Sequence, residues 1–414
     1  MLSVEVSNTH ANRWNANRLL ENVYSVDIAS SYPSVILSEQ YPREFIKKNP
    51  IKFEQALDLN RACLIHIRMF DIKLKNEAFG CPYLAIGKCE RILNPEKDNG
   101  RILSAEALET WITEIDFSIL VKEYEFKYEI LELYTAKKDY LPDEFRELVM
   151  ELFTQKTILK GGDEYTYARF KEKINSVYGM MVQNPCKFNY KFNGSELVIN
   201  EDETIEELIK NYQRKGWIPY QWGVWVTSYA RLKLEEAIHS IPPECFVYAD
   251  TDSVKFLGDH IADIEKLNKY YKNEKYSALD RNGVRHYLGI FENETPKPYK
   301  YFKTLGAKKY CYVDSDGELH LTVSGVHKKK GAIELGNINN FEEGFIFTEA
   351  GGNQAIYNDY PPISSIMMEG KEIEIISNVA LYPSTYTLGM AADYERLINI
   401  LSYSDIRESL HYER

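Results

Sequence analysis

Much is missing from this 414-residue chain, and each absence narrows its class. No window approaches the ~18 uninterrupted apolar residues of a membrane span, so no membrane partner is expected. Met1-Leu2-Ser3-Val4-Glu5 has no basic segment leading into an apolar one, so no secretory signal is visible. The six cysteines (Cys63, Cys81, Cys89, Cys186, Cys245, Cys311) include no C-x-x-C pair. Reduced thiols in a cytoplasmic protein are expected, neither a zinc site nor a disulfide framework. No repeat of roughly 20–50 residues is apparent, which argues against solenoids and propellers. Glycine (22) and proline (15) are too few for a collagen-like or low-complexity chain. Positive charge is also short: 50 basic residues against 62 acidic give a net −12, which at face value argues against nucleic acid as a partner.

What is present is a 44% apolar chain long enough for two or three domains, rich in Tyr (31) and Phe (18). Its charge is uneven. Residues 331–414 hold 13 acidic and 4 basic residues, whereas residues 295–331 hold 8 lysines against 3 acids. The pattern mixes α and β. Val23–Ile28 and Arg61–Asp71 read as strands, and Ser104–Ile115 reads as a helix with Ser104 as its N-cap. Helices over Asp143–Lys160 and Glu164–Tyr178, split by Gly161-Gly162-Asp163, should fold into an antiparallel hairpin. Gly179 and then Pro185 should stop the second. Val224–Ile238 reads as a helix, and Phe246–Phe256 as a β-hairpin tipped by Asp250-Thr251-Asp252. Tyr310–Val313 and Leu319–Val323 flank a turn at Asp314-Ser315-Asp316-Gly317.

Four constellations bear on chemistry. Asp250 and Asp252 stand two apart, so on a strand both face one way and suit a divalent cation; an ordinary Asp-rich turn gives the same pattern. Asp27 ends a strand before Ser30-Ser31-Tyr32-Pro33, which also describes a helix cap. Carboxylates collected from separate strands can hold two Mg²⁺ ions for in-line phosphoryl transfer. Lys171, Asn175 and Tyr178 share one helical face, beside Lys156, Lys160, Arg169 and Lys173. Such a stripe suits a triphosphate, a base edge and a ring stack, or is simply a solvated basic face. Lysines interleaved with aromatics at Lys303–Tyr310, with Lys328-Lys329-Lys330, suit a phosphate backbone or protect an edge strand.

These residues carry a resemblance. Asp27-Ile-Ala-Ser-Ser-Tyr-Pro-Ser34 resembles motif A of the family B DNA polymerases (D-x-x-S-L-Y-P). Lys171-Glu-Lys-Ile-Asn-Ser-Val-Tyr-Gly179 resembles motif B, Tyr248-Ala-Asp-Thr-Asp-Ser253 resembles motif C, and Lys308-Lys309-Tyr310 resembles K-x-Y. The order is the family's, over about residues 10–350. Two insertions, before and after motif B, make the layout similar to the protein-primed bacteriophage branch.

The resemblance implies an α+β right hand. The palm is expected at 1–42 and 218–328, a first insertion resembling terminal-protein region 1 at 43–138, and fingers at 139–183. A second insertion resembling terminal-protein region 2 is expected at 184–217, and a thumb at 329–414. It implies a DNA-directed DNA polymerase that adds dNTPs to a primer 3′-OH with two Mg²⁺ ions, Mn²⁺ being able to substitute. Carried over, Asp27 and Asp252, with Asp250 and the Ile28 carbonyl, are the metal ligands. Asp27, Asp250, Asp252 and Lys171 are catalytic. Ser30, Ser31, Tyr32, Lys156, Lys160, Lys171, Asn175 and Tyr178 bind the nucleotide, and Tyr32 excludes a 2′-hydroxyl. Gly179, Arg231, Thr251, Lys303, Lys308, Lys309 and Tyr310 contact primer–template DNA.

There are departures. Ser31 stands where the family has Leu, and Val4-Glu5-Val6-Ser7-Asn8 stands where a Y-x-G-G turn is expected. Only 26 residues precede Asp27, so no 3′–5′ exonuclease is expected in cis, and a separately encoded one joins a terminal protein as an expected partner. The host cytoplasm is the expected location. A non-catalytic, polymerase-like DNA-binding subunit is the alternative, against which the full set of Asp27, Tyr32, Lys171, Asp250 and Asp252 argues. A reverse transcriptase normally has adjacent motif C aspartates, whereas Thr251 separates them here.

Overall fold

The computed structural model describes residues 9–44, 46–48, 51–76, 81–184, 190–192, 197–199, 204–215, 218–295, 297–357, 363–368, 371–376 and 379–391. Parts of the expected second insertion and thumb, and Cys186, lie outside these residues. At the centre is an antiparallel sheet in the order Thr9–Ala11, Phe246–Asp250, Ser253–Leu257, Leu20–Ile28, Tyr299–Gly306, Lys309–Val313, Leu319–Val323. Phe291–Asn293 also pairs with Leu20–Ile28.

The two-residue period of these strands divides the sheet into two faces. Val26, Ile28, Val254 and Phe256 are buried against Leu234, Ala237 and Ile238 of the long helix Tyr220–Ser240. One step out of phase, Ser25 and Asp27 lie opposite Lys255 and Ser253, on the other face. The expected hairpin at Asp250-Thr251-Asp252 is present: Asp250 pairs with Ser253, and the Asp252 N–H closes the tip on the Asp250 carbonyl at 2.6 Å.

Residues 41–139 build a second antiparallel sheet around the long strands Arg61–Leu74, Arg101–Thr113 and Tyr124–Asp139, with its own core of Ile65, Ile67, Met69, Leu108, Ile119 and Leu120. This corrects the expected helix at Ser104–Ile115, which is strand up to Thr113. Its Ala- and Glu-containing sequence favours a helix locally, but the strand is interior, paired with Arg61–Leu74 on one side and with Cys89–Leu93 and Glu96–Asp98 on the other. Two hydrogen-bond ladders outweigh a weak local propensity. The helix comes next, Glu114–Glu123, started by a Thr113–Asp116 capping box.

The helices Asp143–Leu159 and Glu164–Met181 pack as the hairpin the sequence suggested, with Asp163 capping the second. Phe145, Val149 and Phe153 of the first and Ile174, Val177 and Met181 of the second join Val35, Trp222 and Trp225 in one core. The second helix passes through Gly179 and ends only after Met181. C-terminal to the central sheet come the helix Lys328–Leu335 and the strand pairs Asn353–Tyr357 with Val379–Pro383 and Ile363–Met368 with Lys371–Ile376. No helix among the described residues is long and apolar enough to cross a membrane.

Candidate active site

Cross-strand register brings the acidic residues together. Ser253 sits opposite Asp27, and the Ile28 N–H donates to the Asp252 carbonyl at 2.8 Å, so Asp252 lies at the end of the Asp27 strand. Glu292 faces Asp27 from the other neighbouring strand. Immediately beyond Asp27 the chain turns into the short helix Ser31–Ser38. Ser30, at its N-cap, has φ +56°, a left-handed conformation uncommon for a residue with a Cβ. Thr251 (φ +59°) and Lys308 (φ +58°) share it. Three such residues at one site mark backbone held in place by its surroundings.

A cavity of about 540 Å³ opens beside these strand ends. Asp27, Ile28, Ser30, Ser31, Tyr32 and Asp252 form its floor, and Lys156, Lys160, Lys171 and Asn175 reach it from the helical hairpin. Lys156 Nζ donates to Ser30 Oγ at 2.8 Å, tying the two halves together. The Tyr32 and Tyr178 rings meet at 4.3 Å between centroids. Ser31 Oγ and the Tyr178 hydroxyl are buried with no hydrogen-bond partner among the described residues, so the site has polar capacity for a bound group.

The electrostatics favour a cation. Burial, then Asp252 and Glu294, raise the pKa of Asp27 against the opposing Lys255. Asp252 is raised by burial, then by Asp250 and Glu294, with Lys308 opposing. Clustered, half-buried carboxylates that resist ionising together are suited to a hard divalent ion with oxygen ligands. Burial, then Asp252, pushes Tyr32 up to about 12. On the side of the helical hairpin, burial followed by Lys171 and Lys160 lowers Lys156, so these lysines form a positive cluster that an anion would relieve.

Asp250 is placed differently from its two companions. It is absent from the cavity wall and is held by Thr9 Oγ1 (2.8 Å), Thr251 Oγ1 (3.0 Å) and the Lys308 ammonium. The Lys308 backbone N–H donates to the Tyr248 hydroxyl at 2.9 Å, and Tyr248 packs on Tyr310 at 4.9 Å. The K-x-Y turn is thus locked onto the motif C hairpin. Gly179 is exposed, with open space where a Cβ would point.

Two residues expected at the DNA are elsewhere. Arg231 is buried, its guanidinium 2.7 Å from Asp116 and 2.7 Å from the Tyr83 hydroxyl. It joins the long helix Tyr220–Ser240 to the 41–139 region and cannot at the same time neutralise a phosphate. Lys303 is also buried, 3.6 Å from Glu342. Lys309 is half-buried and donates to the Gly389 carbonyl at 2.7 Å.

The sequence reading missed Tyr167, His286, Tyr287 and Glu292 in the cavity wall, which only tertiary packing assembles. It also missed Lys255, wholly buried, with Nζ 3.0 Å from Ser25 Oγ and 3.1 Å from Glu294. A signal for Lys255 existed: a lysine inside a buried β-run, two residues after Ser253, must face the carboxylate side and needs a partner there.

The family described as DNA polymerase type B, organellar and viral, matches residues 10–242. No curated protein matches significantly. Among solved structures, Phi29 DNA polymerase in its ternary complex with primer-template DNA and incoming nucleotide superimposes with TM-score 0.64 at 19% identity, covering 93% of this chain and 61% of that one. Its post-translocation binary complex with primer-template DNA gives 0.62 at 19% identity, covering 92% and 60%. Its complex with single-stranded DNA gives 0.64 at 18%, covering 93% and 61%. The chain thus spans about three fifths of the length of these polymerases, and at such identity the likeness carries the fold: the right hand. With more than half of its length matched by the family, and with motifs A, B and C converging on one cavity, the chain belongs to the organellar and viral type B DNA polymerases.

Proposed function

We propose that this chain is a DNA-directed DNA polymerase that adds dNTPs to a primer 3′-OH on a DNA template. The observation that carries the reading is the single cavity in which Asp27 and Asp252 face Tyr32 and three converging lysines. Asp27, Asp252 and the Ile28 carbonyl would hold two Mg²⁺ ions, with Mn²⁺ able to replace them. When bound, the ions would supply Lewis-acid stabilisation of charge on the phosphates and on the attacking oxygen.

The reaction is in-line displacement at the α-phosphorus: the primer O3′ forms the new ester bond and pyrophosphate leaves. Lys156, Lys160 and Lys171 hold the triphosphate and offset the charge that grows on the leaving pyrophosphate. Tyr32, buttressed by Tyr178, lies beneath the sugar and leaves no room for a 2′-hydroxyl. Asn175, Tyr178 and Gly179 border the nascent pair, while Thr251, Lys308 and Tyr310 hold the primer terminus. Lys308 has a second role here, since its ammonium neutralises Asp250.

The net charge of −12 is compatible with this reading, because the lysines gather where phosphates would lie and most of the acidic excess, −9, lies in residues 331–414. We extend the proposal to a terminal protein that primes synthesis, docking on the 41–139 sheet, and to a separately encoded exonuclease, all acting in the host cytoplasm. The test is extension of a primed DNA template with dNTPs or rNTPs, and of a primed RNA template. Asp27→Ala and Asp252→Ala should each abolish dNTP incorporation on DNA without unfolding the protein. Retained extension in either variant refutes the assignment. DNA binding without extension by the wild type favours the non-catalytic alternative.

A further inference from the structure

One element beside the cavity belongs to none of the motifs. Strands Ser277–Leu279 and Arg285–Tyr287 form a small hairpin that ends just before the strand carrying Glu292. Its tip is rigid: Asp280 Oδ1 accepts from the N–H groups of Asn282 (2.8 Å) and Val284 (2.9 Å), and Gly283 supplies the left-handed residue at φ +77°. His286 and Tyr287 on its second strand line the nucleotide cavity.

The hairpin grips the helix Asp143–Leu159 near both ends. Close to the helix start, Arg146 Nη2 donates to the Tyr276 hydroxyl at 2.8 Å and to the Leu37 carbonyl at 3.2 Å. At its far end, Arg281 Nε donates to the Lys160 carbonyl at 3.3 Å. Lys160 is the C-cap residue of this helix, next to its last unpaired C=O groups and the negative end of its dipole, a place that favours a cation. The guanidinium occupies the space over Gly162: a Cβ there would lie 2.1 Å from Arg281 Nη2 and 2.9 Å from Cζ. The turn Gly161-Gly162-Asp163, which separates the two fingers helices, is therefore the seat of this contact as well as a break between them.

We propose that Arg281 is a positioning residue that pins the fingers turn to the palm hairpin and so aims Lys156, Lys160 and Lys171 at the triphosphate. The proposal rests on the polymerase reading and adds the device that orients the three lysines. Arg281 itself touches no wall of the cavity and acts through the helix end.

The test is single-nucleotide extension at varied dNTP concentration by the wild type, Arg281→Ala, Arg281→Lys, Gly162→Ala and the Arg281→Ala/Gly162→Ala double variant. Gly162 is outside the left-handed region, so alanine suits its φ; its Cβ would approach the Leu159 carbonyl at a tight 3.2 Å and would displace the flexible guanidinium. KM for dNTP should rise about three- to tenfold in Arg281→Ala and in Gly162→Ala, the scale of one net hydrogen bond; kcat should fall alongside, because the same lysines offset charge on the leaving pyrophosphate, while primer–template affinity stays within about twofold. Arg281→Lys should recover part of the loss, and the double variant should be no worse than Arg281→Ala, because both changes remove one contact. An unchanged KM in Arg281→Ala, or additive effects in the double variant, overturns the proposal while leaving the polymerase reading standing. A folded wild type that extends nothing overturns both.

Discussion

Replacing Arg231 by methionine tests the assignment on which the structure and the motif-based expectation part. Arg231 Nη2 lies 2.7 Å from Asp116 Oδ1 and 3.0 Å from Ser228 Oγ, Nε lies 2.7 Å from the Tyr83 hydroxyl, and both charged side chains are only 8% exposed. Asp116 also caps its own helix through Thr113 and accepts from Ser228 Oγ at 3.1 Å. Burial acts to raise the Asp116 pKa, but the Arg231 charge and the hydrogen bonds of Tyr83, Arg231 and Thr113 outweigh it and hold it below its ordinary value. Asp116 is therefore ionised at neutral pH. Methionine would leave a buried carboxylate without its countercharge, at a cost of about 3–5 kcal/mol. The assay is urea unfolding of the protein, in parallel with primer–template affinity over a range of salt. Arg231→Met should lower the unfolding midpoint strongly and leave the slope of log affinity against log salt unchanged, because no phosphate contact is lost. Arg231→Met/Asp116→Leu should regain much of the stability, since replacing both charges removes the unpaired one. A variant of normal stability with weaker DNA binding and a shallower salt slope would refute the reasoning and restore Arg231 to the DNA interface.

Three further outcomes are expected. Tyr32→Ala removes the ring packed at a tilt on Tyr178, so discrimination against rNTPs should fall by roughly tenfold or more in relative kcat/KM; undiminished discrimination would show that another group reads the sugar. Burial lowers Lys233 to about 8, and its Nζ lies 4.0 Å from the Tyr271 ring. A folded pKa below the unfolded one means that stability rises with pH between about 8 and the unfolded lysine value near 10.4, and that below about 8 the fold carries the full burden of a buried charge. Lys233→Met should accordingly stabilise the protein by roughly 1–3 kcal/mol at pH 7, and the gain should shrink towards pH 10.5; a pH-independent effect in thermal unfolding would contradict this. Lys255→Met strips Glu294 of its ion pair beneath the carboxylates; Glu294 is 36% exposed and water can solvate it, so stability should drop by only about 1–2 kcal/mol, with Lys255→Met/Glu294→Gln recovering most of it in denaturant melts.

The legible parts of this protein share one property: their signal is local and periodic. Asp250 and Asp252 are two apart on β-formers, and Lys171, Asn175 and Tyr178 repeat at helical spacing, so the hairpin tip and the basic stripe could be read before any fold was known. The break at Gly161–Asp163 was visible for the same reason. Ser104–Ile115 failed because Ala and Glu favour a helix in isolation, whereas its partners Arg61–Leu74 and Cys89–Leu93 are distant in sequence. Arg231 and Lys303 failed because charge is legible in sequence while the partner that neutralises it is not: Asp116 and Glu342 belong to other elements.

The sequence by itself determined the chemical inventory, namely two principal carboxylates, the motif A tyrosine, a basic helical stripe and a lysine–tyrosine pair in the order of their family. Only the tertiary structure decided which of these share a cavity, that Asp250 is paired with Lys308 away from its wall, and that Arg281 of the Ser277–Tyr287 hairpin reaches the Lys160 carbonyl. The physical reason is range. Backbone periodicity acts over a few residues and is written in the chain, whereas burial, cross-strand register and charge compensation act between segments that meet only once the chain has folded.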